Sequence, residues 1–588
     1  MSSSFSDQAR DALDGIRSIS RRALRGIRSS PVSRSLSTVP VARQLLLIPQ
    51  DLRTADPSFA SELYDGYFGL AGTVALTGSV SPFTVQPPSL LWQRELYGMG
   101  WLHNLEAAGD HIAQEKARAL LTDWIAHSGE APPIAWELDV VARRLTSILS
   151  HAGLLLRGTQ ANYYNSVMRM LTSELHYLTV NYGEASHTAP RLLALTGILL
   201  SGLCIKEHQS LVGSYLGVFL AELERQILKD GGHISRNPNT LVELLLELLP
   251  LKQCFLARKL ETPEALDRAI ARMMGMIRFM RLGDGSLARF NGMGATRSDL
   301  VAAVLAYADD AAIPQGYAKE SGYCRLVRGP TTIITDVGAP PPAFASAHAN
   351  AGYLAFEMTT GIEPLIVNCG APRDELSDWT FAARATAAHS TLTINDQSSS
   401  KLVKRKNASA AGGEVHLLSG PKTIGAELIR DGNELLVNAW HNGFVERFGL
   451  IHQRRLRLTA DGMSVEGVDQ LVPPQTGQYH AKDGDTFTIR FHLHPRVSPR
   501  LHADENSVGL TTPDAQLWKL RAAGAKIGIE ESTFLADPII QKRSMQVVLR
   551  GDCRADVQIV WSIRRIQTNV RDSARSGYRG PRAVEDNS

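Results

Sequence analysis

Three histidines in polar or glycine-rich surroundings carry most of the chemistry this chain can offer. His187 closes the run Asn181-Tyr-Gly-Glu-Ala-Ser-His187, His233 sits in Asp230-Gly-Gly-His-Ile-Ser-Arg236, and His348 opens His348-Ala-Asn350-Ala-Gly-Tyr-Leu-Ala-Phe-Glu357. Near pH 7 a neutral imidazole can take a proton and a second can return one, each contributing about 10²- to 10⁴-fold in rate. Arg236 and Asn181 are donors that can meet negative charge as it builds on a substrate. Each has a plainer reading: a capping or loop histidine for His187, and a simple turn for Asp230-Gly-Gly. Trp136 offers an indole for stacking on a sugar ring, or for a helical core. His492 and His494 alternate with Phe491 and Leu493, which puts both imidazoles on the strand face opposite the core. A solvated face is the reading adopted there, with a metal pair as the alternative.

These residues fall in two kinds of sequence. From about Asp56 to Asp310 apolar residues recur at three and four spacing, as in Thr240-Leu-Val-Glu-Leu-Leu-Leu-Glu-Leu-Leu249 and Ala269 to Arg281, which predicts helices with almost no β signal. From Tyr323 onward short β-rich runs alternate with Gly, Asp-Gly and Pro, for example Thr331-Thr-Ile-Ile-Thr335, Glu434 to Trp440 and Thr486 to Leu493. The boundary falls between Ala311 and Gly322. The division expected is a basic leader over 1–55, a helical domain over 56–310, an antiparallel sandwich over 323–566 and a polar, disordered tail over 567–588.

The chain has 588 residues, too many for one hydrophobic core, and 44% hydrophobic against 21% charged residues is the balance of a folded globular protein. A net charge of +3 argues for no nucleic-acid partner. Five scattered cysteines suggest neither a disulfide framework nor a zinc knuckle. The longest apolar run, Leu192 to Cys204, is shorter than the roughly 18 to 20 residues a bilayer span needs, so no integral membrane segment is expected. Residues 1–34 carry seven arginines and no uninterrupted apolar core, unlike an export signal. A loosely ordered leader is the reading taken; a basic amphipathic helix through Leu13, Ile16, Ile19, Leu24 and Ile27, touching a membrane surface, is the alternative.

Four elements in order, His348 to Glu357, Leu365-Ile-Val-Asn-Cys-Gly370, Arg384-Ala-Thr-Ala-Ala-His389-Ser-Thr-Leu-Thr and Phe491-His-Leu-His-Pro495, resemble the C-terminal domain of the heparinase II/III-like polysaccharide lyases. The resemblance extends over roughly Arg53 to Ile563. It implies an incomplete (α/α) toroid followed by an antiparallel β-sandwich, and β-elimination on an acidic, uronate-containing polysaccharide or oligosaccharide. His187 and His348 then match the family's acid and base positions, in undecided order. Arg236 and Asn181 become the groups facing the substrate carboxylate, and Trp136, His233 and Thr240 the substrate-binding residues.

Three departures accompany the match. Ser186 stands where the family has asparagine. Thr240 stands where it has a catalytic tyrosine, and a threonine hydroxyl is a very poor acid. Where zinc-containing relatives have His, Asp and His, this chain has Asn350, Asn368 and His389, and neutral amides are weak zinc donors. The expectation is therefore no cofactor and a metal-free hydrogen-bonded cluster, with Zn²⁺ at Asn350, Asn368 and His389 as the alternative. A divergent glycan-binding or polysaccharide-processing protein without lyase activity is the rival function. The family implies the bacterial cell envelope or periplasm; the missing export signal leaves the cytoplasm as the alternative.

Overall fold

The computed structural model describes residues 39–307, 316–373, 378–406, 414–475, 482–504 and 506–566. The leader up to residue 38, the tail from 567 and part of the expected boundary lie outside the described residues. Helices fill the first part and antiparallel strands the second.

In the first part, helices Leu138–Ser150, Ala189–Cys204 and Pro238–Ala257 form an inner layer, with His111–His127, Ala161–Asn181, Ser210–Gln226 and Glu264–Met280 packed around them. Ala189–Cys204 is central, and twelve of its residues are buried, including Thr196 and Ser201. An apolar helix without a polar stripe belongs between other helices. Glu264–Met280, by contrast, keeps an accessible face through Glu264, Arg268 and Ala271 while burying Leu266, Ala269, Ile270, Met273, Ile277 and others. Residues from Val39 onward, expected to be leader, are tied onto this body: the Ala42 amide donates to Thr172 Oγ1 at 2.9 Å and the Leu46 amide to the Cys204 carbonyl at 2.7 Å.

The centre of the toroid is closed by ions. Arg143 reaches from its helix to Glu247 on Pro238–Ala257 at 3.3 Å and to Asp51 at 2.7 Å, and Arg53 binds Glu247 at 2.8 Å and Asp51 at 3.1 Å. A hairpin, Tyr67–Leu70 with Thr73–Leu76, also lies in this part. Its Ala71-Gly72 turn takes positive φ at both positions, which sets the twist of a two-residue hairpin. The near absence of β structure expected here needs that correction: each strand is too short for alternation to stand out.

The second part packs an eight-stranded sheet on a nine-stranded one, all pairs antiparallel. The core between them takes Leu326, Ile333, Phe356 and Phe491 from one sheet and Leu456, Trp518 and Trp561 from the other. Phe356 stacks on Trp561 across the interface at 5.8 Å. Strand Leu450–Leu458 alternates strictly between buried and more accessible positions, as a strand with one covered face should. The first strand, Gly316–Ala318, starts earlier than Tyr323 and extends the nine-stranded sheet.

Candidate active site

His187 follows a short turn after helix Ala161–Asn181 and stands just before helix Ala189–Cys204. Its Nδ1–H donates to Glu222 at 2.7 Å, and its Nε2 accepts from the exposed Arg225 at 2.9 Å. A carboxylate behind one ring nitrogen fixes the tautomer and Arg225 occupies the other, so the imidazole is oriented, and its Nε2 meets a substrate only once Arg225 moves aside. The His187 ring lies 6.4 Å from that of Phe344, in the sandwich loop that also carries His348. His348 is exposed, and its loop presses on Gly292: a Cβ there would come within 2.7 Å of His348 Cβ and 3.2 Å of Asn237 Nδ2. Gly292 has φ +90°, so both conformation and space demand glycine. His348 thus sits by Asn237, the N-cap of helix Pro238–Ala257, and both histidines border the junction of toroid and sandwich.

Arg236 is not at the substrate's disposal. Its guanidinium donates to the carbonyls of Ser321 (2.7 Å), Gly322 (3.2 Å), Gly338 (3.3 Å) and Ala339 (2.9 Å) and pairs with Asp336 at 2.5 Å. It also lies 4.7 Å over the Tyr323 ring, and the Tyr323 hydroxyl donates to the Arg236 carbonyl at 2.7 Å. The expected carboxylate contact is replaced by a buried clamp between the two domains, because its counter-ion lies a hundred residues away in sequence. Asn181, 3% exposed, turns its amide back to the Tyr177 carbonyl at 2.8 Å and does not present it to the junction.

His233 is likewise internal, donating from Nε2 to Gln226 at 3.0 Å and accepting at Nδ1 from the Ser235 amide at 3.1 Å; burial pushes its pKa down to about 3. Thr240, half-buried, is in the first turn of its helix. Trp136, half-buried, packs against Tyr177 at 5.2 Å and Trp124 at 6.1 Å. It lines a cavity of about 530 Å³ between helices His111–His127 and Ala161–Asn181, away from His187 and His348.

Behind His348 the remaining polar residues form a closed chain of hydrogen bonds. Asp336 accepts from Asn291 at 3.3 Å, and Asn291 Oδ1 accepts from the Asn350 amide at 3.3 Å. The Asn350 side chain donates to His389 Nε2 at 3.0 Å, whose Nδ1–H donates to the Ala385 carbonyl at 2.9 Å. Burial pushes the His389 pKa down to about 4, which keeps it neutral. Asn368 is bound separately: its amide donates to Glu357 at 2.8 Å and its Oδ1 accepts from the Ser390 amide at 2.9 Å. Fully buried Glu357 pairs with Arg289 at 3.1 Å.

These residues do not fit a zinc ion. Both His389 nitrogens are committed, and among the described residues no three His, Cys, Asp or Glu side chains converge. His492 also departs from its expectation. It is 4% exposed, donates from Nε2 to the Ala387 carbonyl at 2.9 Å and meets Ser532 at 2.8 Å, with its pKa pushed down to about 3 by burial. Its strand lies inside the nine-stranded sheet, and the segment around Ala387 covers the face expected to meet water. His494 is half-buried, its ring 5.2 Å from Phe534.

One residue escaped the sequence reading. Glu243 lies one turn beyond Thr240, touches water, and accepts from the Asn239 amide at 2.7 Å. Its surroundings push the carboxyl up to about 7, through burial first and neighbouring Asp139 second. The three-residue spacing from Thr240 was available as a signal; the partner on another helix was not.

The comparisons with known proteins agree with this fold. The family model described as heparinase II/III-like, C-terminal, matches residues 313–562. Over 524 residues the chain is 30% identical to FtsZ-localized protein C of Caulobacter vibrioides, covering 88% of this chain and 89% of that one. A crystal structure of heparinase III superposes with a TM-score of 0.68 at 14% identity, covering 90% of this chain and 87% of the other. Heparan sulfate lyase HepC from Pedobacter heparinus gives 0.57 at 15% identity, covering 96% and 91%. A helical toroid joined to a two-sheet sandwich, a matching C-terminal domain and a full-length relative make the chain a member of the heparinase II/III-like family.

Proposed function

We propose that this chain is a glycan-binding protein on a polysaccharide-lyase scaffold that no longer performs β-elimination on uronates, and that it works alongside FtsZ at the cell envelope. The observation that carries the first half is Arg236. Elimination at a uronate requires donors aimed at the carboxylate where the carbanion's charge collects. Here the arginine expected in that place is consumed by Asp336 and four carbonyls, and the Asn181 amide by its own helix. Thr240 supplies no competent acid. The second half rests on the 30% identical relative, which is an FtsZ-localized protein. Among the described residues no helix is long and apolar enough to cross a membrane.

Turnover is the second reading, and the Glu222–His187 pair favours it, since a pure binding site has no need of an oriented imidazole. Purified protein incubated with acidic and non-acidic glycans separates the two. Binding by calorimetry without the ultraviolet absorbance of an unsaturated uronate supports the first reading; a rise in absorbance that His187→Ala and His348→Ala both abolish supports the second. Placement with FtsZ is tested by imaging a fluorescent fusion in cells with and without FtsZ.

A further inference from the structure

The cavity of about 530 Å³ beside Trp136 plays no part in the junction, and its walls are of two kinds. One is a stripe along helix Ala161–Asn181, where Ser166, Arg169, Ser173 and His176 follow one another at three- and four-residue steps and so share a face. The opposite face carries Val167, Leu171, Leu175 and Leu178 into the core. A polar stripe on such a helix ordinarily meets bulk water. Here it meets a second wall, made by Val39 and Val41 of the N-terminal segment with Ile125 and Trp136. That segment is fixed by the Ala42 bond to Thr172 and by the Tyr164 hydroxyl, which donates to the Arg43 carbonyl at 3.0 Å, so the cavity is built into the fold.

Its polar groups are unevenly satisfied. Arg169 is exposed, and among the described residues its guanidinium bonds only to the neutral Ser166 hydroxyl, at 3.3 Å. His176 Nδ1 is buried without a hydrogen-bond partner among the described residues, and burial lowers the pKa of the ring, which is neutral near pH 7. The one carboxylate in the lining, Glu174, is spent on Arg144, whose Nε and Nη2 donate to its two oxygens at 2.9 and 2.7 Å. The charge left to a ligand is therefore positive.

We propose that this cavity binds a pyranose ring bearing an anionic group, a carboxylate or a phosphate. Arg169 holds that group by a charge-assisted hydrogen bond, His176 and the serines meet the ring hydroxyls, and Trp136 with the two valines covers the apolar face of the ring. A bare anion would leave the apolar wall and His176 unused. A purely apolar ligand would strand the same nitrogen and desolvate the guanidinium. The volume lies within the range of small-ligand pockets, about 300 to 1,000 Å³. This site goes beyond the reading of the junction and does not depend on it.

The test titrates the full chain by calorimetry with glucuronate, a phosphorylated glucose, glucose and inorganic phosphate. At least one acidic sugar should bind about tenfold or more tightly than both glucose and inorganic phosphate, and the one that does identifies the acidic group. Arg169→Gln, a change at an exposed side chain, should weaken that sugar about tenfold and leave the melting temperature unchanged. Ser173→Phe, which fills the cavity from its wall, should abolish the binding; circular dichroism checks its fold, and Arg169→Gln decides alone if it does not fold. Glucose or inorganic phosphate binding as tightly as both acidic sugars, no binding of any of the four, or an affinity that survives either folded variant would overturn the proposal. None of these results bears on the junction, whose reading is tested on oligosaccharides.

Discussion

Two polar regions lie side by side where toroid meets sandwich, built from the same residue types and left in opposite states. At the rim, His187, His348 and Glu243 touch water, His187 held between Glu222 and the exposed Arg225 and Glu243 accepting only from the Asn239 amide. Behind it, Arg236, Asp336, Asn291, Asn350 and His389 are buried and bonded to one another in an unbroken series. Buried polar groups are kept because each has its partner, and such a network is rigid and specific. A ligand can exploit only what remains unsatisfied, so the rim is where function can reside and the buried chain is what holds the two domains in register.

The contrast can be broken most forcefully at Arg236. Arg236→Ala would leave Asp336 buried without its cation and is expected to cost about 3 to 5 kcal/mol in denaturant unfolding. A variant of wild-type stability that lost glycan binding would return Arg236 to the ligand site. Next comes His389→Ala, which strands the Asn350 amide and the Ala385 carbonyl; the expected loss is about 1 to 3 kcal/mol, and adding zinc should not change wild-type stability. Zinc that raised the melting temperature of wild type but not of the variant would show that the amide cluster had been misjudged.

A smaller effect belongs to the rim. The Glu243 carboxyl, held up at about 7, keeps its proton in the folded chain after the unfolded chain has released it. Native stability therefore falls as pH climbs from the ordinary carboxyl range to about 7, and levels off above it. Glu243→Gln lacks this loss. It should match wild type near pH 4 and exceed it at pH 8 by about 1 kcal/mol, a figure kept small because the carboxyl meets water. Equal stabilities at both pH values would mean the carboxyl is ordinary. His187→Ala should be the mildest of the set, within about 1 kcal/mol in stability, with its effect read in ligand affinity.

How far the sequence carried this picture follows from the range of each signal. The helix over Thr240 to Leu249 and the strand over Thr486 to Leu493 were legible because a 3.6- or two-residue period is local. The same period misjudged His492, since alternation tells which face a side chain takes and not whether a distant segment covers that face. Arg236 was misread for a related reason: its motif is local, while Asp336 and the four carbonyls that consume it come from the other domain. Asn181 ends its helix, and which way an amide points there depends on a single rotamer, which no local pattern encodes. Glu243 was passed over because a carboxylate on a helix looks like any solvated charge until Asp139 is set beside it.

The most direct test of the account is an end-point assay of the wild-type chain on oligogalacturonate and heparan-type oligosaccharides, run beside calorimetry on the same samples and on the non-acidic panel. The clamped Arg236 and missing acid at Thr240 predict no unsaturated uronate from any acidic substrate, while at least one of the oligosaccharides binds. Steady release of unsaturated uronate, abolished by His187→Ala and by His348→Ala, would contradict it and restore this chain to the lyases.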